Sequence, residues 1–337
     1  MKALKIIGII LLVLVVLVIV LGLIAPKKYA VERSVVIDAP KVVVFNYMKY
    51  WRNWQKWSPW AERDSTMKVT LEGTDGKEGS VYKWEGDPKL TGKGEMTNTG
   101  IKELEEVTYH LHFIEPWESE SDGYLRVSDA DGGTKASWGF YGETPFPWNI
   151  MMLFMSMEKM MAPDFNRGLE LLKQICEKEA AEISKYDINP VNFPAKNYAA
   201  IREEVAFENI KGFFEKSFGI IEQLMRGQRM QMTGAPSGLY FSMDEQKGTT
   251  DMAAAVPIKG SLDEGAVETI KLPASKGFVV NYYGPYEGVE YAHKALDYHI
   301  RENWLTQKPP VIEAYVTDPS QEPDTTKWLT KDRKSVV

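Results

Sequence analysis

The apolar spacing of the 337-residue chain passes through three regimes, and each predicts a different kind of element. From Ile6 to Ala25 there is no charge, and most side chains are Leu, Ile or Val. Twenty residues at the ~1.5 Å rise of a helix reach about 30 Å, the depth of a bilayer core, so this run predicts a transmembrane helix. A cleaved signal peptide fits less well, because the run exceeds the usual ~7–15 residues and Pro26 follows Ala25. Lys2 and Lys5 before the span nearly balance Lys27, Lys28 and Arg33 after it. Long downstream domains translocate largely regardless of such charges. The expectation is therefore a short cytoplasmic tail with the soluble part extracytoplasmic, in the periplasm of a bacterium.

The second regime alternates with period two. Ala30 to Ile37 predicts a strand, and Asp38-Ala39-Pro40 a helix start with Asp38 as the cap and a proline in the first turn. That helix turns Val43, Val44, Tyr47 and Met48 inward and runs into Trp51, Trp54, Trp57 and Trp60, spaced by three. Short alternating segments follow: Met67 to Leu71, Gly79 to Trp84, Gly92 to Thr97, Glu106 to Ile114, Gly123 to Ser128 and Thr134 to Tyr141. Asp-Gly turns punctuate them, giving an antiparallel sheet of six or seven strands. After Pro147 a helical region opens with Met151, Met152, Met155, Met157, Met160 and Met161. Pro163 is expected to interrupt it, and Leu169, Leu172, Ile175 and Cys176 mark the face of its second half.

The third regime is a pattern used twice. Phe193-Pro194-Ala195-Lys196 is echoed by Leu272-Pro273-Ala274-Ser275-Lys276, Pro236 to Asp244 by Pro310 to Asp318, and Gly248-Thr249-Thr250 by Asp324-Thr325-Thr326. A helical run lies inside each copy, Ile210 to Met225 in the first and Val289 to Ile300 in the second, so the repeating unit is strand, helix, strand, strand. Glu313 stands in an alternating run between Ile312 and Tyr315, where one side of the strand is buried, and the alignment places Leu239 at its position in the first copy. A carboxylate present in one copy only points to a site rather than to the scaffold.

Ala39-Pro40, Trp54 with Trp57-Ser58-Pro59-Trp60, and Phe165 to Lys173 resemble the SRPBCC superfamily, the START-like or polyketide cyclase-like helix-grip fold, over residues 29–184. That resemblance implies an apolar ligand held between sheet and helix. Tyr82, Trp84, Trp117 and Trp138 are the candidates to line its cavity, with the methionines as an adaptable lid. The Leu-Pro-Ala opening, Gly284-Pro285-Tyr286-Glu287, and Glu313-Ala314-Tyr315 with Asp318-Pro319 resemble the GyrI-like or AraC-type effector-binding domain over residues 189–337. That resemblance implies a pseudo-twofold pair of βαββ units whose cleft glutamate, here Glu313, meets cationic aromatic ligands. Tyr282, Tyr283, Tyr286 and Tyr315 are the candidate walls. The chain departs from that family at Lys331 to Val337, where an acidic residue and a Pro-Val strand are usual.

The fold class expected is thus α+β: residues 1–26 as anchor, a helix-grip antiparallel domain, and a duplicated domain joined to it by a short link at Asp187-Ile188-Asn189-Pro190. A net charge of −7 without a basic run gives no electrostatic footprint for nucleic acid. Cys176 is the only cysteine, which excludes a disulfide framework within the chain and a thiolate metal cluster. His110 and His112 share a strand face with no evident third ligand, and His293 and His299 share a helix. Haem enters only because the SOUL haem-binding proteins resemble the GyrI-like fold. No nucleophile elbow, zincin, P-loop or dinucleotide motif is present, and no second acid or base is evident beside Glu313. The expectation is a membrane-anchored small-molecule binder, a sensor or scavenger, without metal, cofactor or catalytic residue. Its partners are an apolar or cationic aromatic ligand and the membrane through residues 6–25. The alternatives are a hydrolase or cyclase using Glu313 as acid or base, and a non-catalytic envelope interaction module.

Overall fold

The computed structural model describes residues 2–245 and 247–337 of the chain, which divide into two compact units, residues 1–180 and 181–337. The first opens with the apolar helix α1 (Lys2–Ile24). Its length and composition suffice to cross a membrane, a property that anchors share with signal sequences. Next come β1 (Lys28–Ile37) and three short helices, α2 (Lys41–Lys49), α3 (Trp51–Trp54) and α4 (Pro59–Arg63). Six strands complete the sheet: β2 (Lys68–Glu72), β3 (Val81–Glu85), β4 (Lys93–Lys102), β5 (Glu106–Glu115), β6 (Ser119–Ala130) and β7 (Gly133–Glu143). The order is β1-β7-β6-β5-β4-β3-β2, antiparallel throughout, in keeping with the alternation and with turns at Asp75-Gly76 and Asp131-Gly132; Asp122-Gly123, expected as a turn, lies instead inside β6. The long α5 (Met157–Ile183) closes the unit.

Two local expectations are corrected. Asp38 does not cap α2: Pro40 occupies that position, and the Asp38 backbone N–H donates to Glu177 instead. Pro163 does not interrupt the closing helix, which runs through it: as the seventh residue of α5 it leaves the Lys159 carbonyl without its intrahelical donor, and the helix continues past that one missing bond.

The end of α1 is fastened to this unit. The buried Asn149, in a short 3₁₀ turn (Trp148–Leu153), donates through Nδ2 to the carbonyls of Gly22 at 2.7 Å and Ala25 at 3.2 Å, two of the orphan acceptors that any helix C-terminus leaves. Gly22 permits the approach, since a Cβ there would meet the Phe146 ring at 2.4 Å. Around this junction Trp148 (65% exposed) and Phe154 (80%) project outward. Asn149→Ala should cost about 1–3 kcal/mol by stripping both carbonyls of their donor. A thermal melt of the full chain, with protease sensitivity between Ile24 and Lys28 as a second readout, checks this; an unchanged melt with unchanged cleavage would remove the fastening.

The second unit contains β8 (Ile188–Phe193), β9 (Lys196–Ala206), α6 (Ile210–Gly227), β10 (Ser237–Asp244), β11 (Thr249–Ile258), β12 (Glu268–Leu272), β13 (Ser275–Tyr283), α7 (Glu290–Glu302), β14 (Gln307–Tyr315) and β15 (Leu329–Val336). The sheet order β12-β9-β11-β10-β14-β15-β13-β8 reads alike from both ends, the signature of the duplicated unit, with β10 and β14 paired at the centre. Both amphipathic helices lie on one face: α6 covers Ile201, Met252 and Val256, while α7 covers Val280 and Tyr282. Two further corrections belong here. Ile188-Asn189-Pro190 is not a link but the start of β8, and the charged tail Lys331 to Val336 is most of β15, well inside the sheet.

Candidate functional site

In the first unit the four spaced tryptophans divide by role. Trp51 and Trp57 are core, their indole N–H groups donating to the carbonyls of Ser80 and Tyr47. Trp54 and Trp60 face a cavity of ≈ 300 Å³ between sheet and α5, lined also by Tyr82, Trp84, Trp138 and Phe165. Trp138 anchors it: the ring stacks on Phe165 at 4.1 Å between centroids, and Nε1 donates to the Tyr109 hydroxyl at 2.8 Å. Gly168 lets α5 come this close, since a Cβ there would lie 2.7 Å from the Trp138 ring. The volume is at the lower end of what small-molecule sites use. Trp117 does not belong to it: the residue sits 82% exposed between β5 and β6, beyond the last inward-facing position. Of the six methionines in the closing region only Met161 is among the lining residues, while Met151, Met155 and Met160 are exposed.

In the second unit Glu313 lies on β14, on the helix-bearing face of the sheet, 8% exposed. Its Oε1 is 2.5 Å from His293 Nε2 on α7, and its Oε2 accepts from the hydroxyls of Tyr240 at 3.0 Å and Tyr315 at 2.8 Å. The other imidazole nitrogen, Nδ1, is 2.7 Å from Asp332 Oδ2 on β15, so one ring bridges two carboxylates from neighbouring strands. Lys334 extends the cluster, its Nζ 2.5 Å from Asp297 and 3.9 Å from Asp332. Burial alone would favour neutral His293, but the Asp332 and Glu313 carboxylates outweigh it and push its pKa up to about 10. The ring is therefore an imidazolium at neutral pH. Burial, with the Glu313 charge adding to it, holds the hydroxyls of Tyr240 and Tyr315 protonated well beyond the usual tyrosine range.

Further aromatic rings pack around Tyr315, one of the two hydroxyl donors to the carboxylate. Tyr315 is met edge-on by Phe214 at 5.7 Å and by Tyr286 at 5.2 Å, and Tyr286 also packs on Trp328. Directly across the ladder from Glu313 is Gly238, where a Cβ would sit 2.8 Å from Phe214 and 3.0 Å from the Tyr315 hydroxyl. The copy relation is thus shifted by one residue from the sequence expectation. Gly238, not Leu239, is the counterpart of Glu313, and Tyr240 is the counterpart of Tyr315, so both copies direct a tyrosine to the single carboxylate. Leu239 points to the opposite face with Ile312, as a one-residue slip along a strand demands. Tyr282 and Tyr283 are not brought to the carboxylate. Tyr282 is buried under α7, donating to the Pro285 carbonyl, and Tyr283 is 62% exposed.

Sequence reasoning found no acid or base beside Glu313; His293 and Asp332 fill that role. The signal was present in part, since a histidine beside the apolar stripe of α7 and an aspartate alternating with Thr330 and Lys334 share one face. Among the described residues no group of three or more His, Cys, Asp or Glu has a metal-binding arrangement, and His110 and His112 pair separately with Asp122 and Glu118.

Residues 28–177 match the family model described as polyketide cyclase / dehydrase and lipid transport, and residues 186–331 match the GyrI-like small molecule binding domain. No curated protein sequence matches the chain. Among solved structures it is similar to the C-terminal domain of EcmrR (17% identity, TM-score 0.42, 45% of this chain and 98% of that one). It is also similar to SAV2435 bound to tetraphenylphosphonium (19%, 0.36, 45% and 94%) and to the di-domain ARO/CYC StfQ of the steffimycin biosynthetic pathway (10%, 0.37, 46% and 52%). These likenesses concern fold alone. Behind its apolar N-terminal helix, then, the chain carries a domain of the polyketide cyclase/dehydrase and lipid transport family followed by a GyrI-like small molecule binding domain.

Proposed function

We propose that this protein is a membrane-anchored small-molecule binder, a sensor or scavenger, that takes lipophilic cationic aromatic compounds at Glu313 and neutral apolar ones in the helix-grip cavity. The observation that carries the first half is a nearly buried carboxylate, opposite a glycine, that accepts from Tyr240 and Tyr315, with Tyr286 and Phe214 packed on Tyr315. Each ring face adds about 0.5–2 kcal/mol of attraction for a cation, which a neutral ligand does not gain. Asp332 Oδ1 and Thr330 Oγ1, buried on the same strand face without hydrogen-bond partners among the described residues, leave polar capacity for an entering molecule. Anchoring is supported by α1 and by Trp148 beside its end, since amphipathic aromatic side chains favour the headgroup level of a bilayer.

A binder of this kind shows ligand-linked stability. Lipophilic cations should raise the melting temperature of the full chain in detergent by several degrees, through about 2.7 kcal/mol at a hundred times Kd, and should do nothing to Glu313→Gln. Equal shifts in both proteins would sink the Glu313 assignment.

A second reading, an enzyme acting on a reactive small molecule, is supported by the chain Asp332–His293–Glu313, because acid and base work needs a positioned pair and an orienting partner. Turnover of an electrophilic substrate that vanishes in His293→Gln, with cation binding retained, would favour it over binding alone.

A further inference from the structure

The repeated Pro-Ala segments do more than mark the duplication. β8 passes through Phe193-Pro194-Ala195-Lys196 directly into β9, and β12 passes through Leu272-Pro273-Ala274-Ser275 directly into β13. The two crossovers run antiparallel, with Phe193 opposite Ser275 and Lys196 opposite Leu272. They border a pocket of ≈ 90 Å³ whose other lining residues include Lys308 at the start of β14 and Arg333 and Ser335 on β15. Arg333 pairs across the ladder with Ile312, on the face away from the helices, whereas its neighbours Asp332 and Lys334 face His293. The sheet thus stands between Arg333 and the carboxylates of the Glu313 cluster.

Three cationic side chains line this pocket, and no carboxylate does. Among the described residues, Arg333 and Lys196 have no acidic partner at all. Both are half-buried, and burial pulls each one's pKa down, with the Arg333 charge lowering Lys196 further. Two unpaired cations in a partly desolvated pocket repel each other and lose hydration, a cost that a native fold tolerates where an anion repays it. Neutral donors converge as well. Tyr198 is among the lining residues, and Ser275 Oγ and Ser335 Oγ are 2.8 Å apart with hydroxyl hydrogens free to rotate. The volume equals about three water molecules at roughly 30 Å³ each, enough for a compact oxyanion and too little for a drug-sized molecule.

We propose that the second domain binds a phosphate-type oxyanion in this pocket, gripped by the guanidinium of Arg333 and the ammonium of Lys196, with Lys308 at the rim. A planar guanidinium fork matches two oxygens of such an anion, and the lysine adds a point charge. The proposal is independent of the Glu313 reading, since the two sites use opposite faces of one sheet.

The test is thermal unfolding of the full chain in detergent, in chloride buffer against millimolar inorganic phosphate at matched ionic strength, for wild type, Arg333→Met and Lys196→Met. Phosphate should raise the wild-type melting temperature by about 2–4 °C or more, and neither variant should respond. In chloride alone Arg333→Met should melt at or above wild type, because it removes an unpaired half-buried cation. Glycerol 3-phosphate separates the sources: a shift with both ligands assigns the site to a phosphoryl group on a larger molecule, and a shift with the inorganic ion alone assigns it to free phosphate. No shift relative to matched chloride overturns the proposal. So does a shift of equal size in wild type and both variants, or an Arg333→Met protein destabilised in chloride, any of which would make the residue a structural charge.

Discussion

His293→Leu should lower the unfolding free energy of the GyrI-like domain by about 3–5 kcal/mol. The leucine would be accommodated by size, so the loss comes from what remains: Glu313 and Asp332, cross-strand neighbours, left facing each other with Lys334, 3.9 Å from Asp332, as the nearest remaining cation of the cluster. The same ring gives a pH signature. Its folded pKa of about 10 lies above the ordinary 6.5, so the folded state binds the proton more tightly. The stabilisation is fully present below pH 6.5 and is lost as pH rises through about 10. Urea unfolding followed by circular dichroism across that window should show wild-type stability falling and the leucine variant nearly flat. A wild type whose stability is level from pH 6.5 to 10 would mean that the bridge carries no net energy.

Trp138→Ala should cost the helix-grip domain about 3–5 kcal/mol. Trp138 is buried, stacked on Phe165 and met edge-on by Trp54, Trp57 and Trp60, so its removal leaves a void ringed by stiff aromatics that collapse poorly. It also takes the only donor from the Tyr109 hydroxyl that the described contacts supply. Because the void adjoins the cavity, planar apolar compounds too large for wild type should bind the variant and restore part of its melting temperature. Loss of stability without any such rescue would place the cavity out of ligand reach.

Much of this architecture could be read from the chain because the signals were local and strong. Alternation over five to ten residues with Asp-Gly turns fixed the first sheet, and the twice-used Pro-Ala opening fixed the second. Glu313 was visible because a carboxylate in an apolar strand conflicts with its surroundings. The partners were not, because contact between His293, Glu313 and Asp332 is a property of the fold: they come from a helix and two strands, and Asp332 sits in a charge-rich tail that departs from the pattern usual in the family it resembles. Leu239 was misplaced since a strand offers no local mark of register, and one residue decides the face. Trp117 was misjudged because an aromatic at a strand end reads the same whether it turns in or out.

The paired crossovers also govern how copies of this protein tolerate crowding. Each Pro-Ala segment joins an edge strand of the eight-stranded sheet to the strand beside the opposite edge, and the open edges are β8 and β12, six and five residues long. Pro190 interrupts the donor row of the first, and Lys271 places a charge on the second. Short, charged or proline-broken edges are poor templates for strand addition, so copies at high local concentration are protected from zipping sheet to sheet into aggregates.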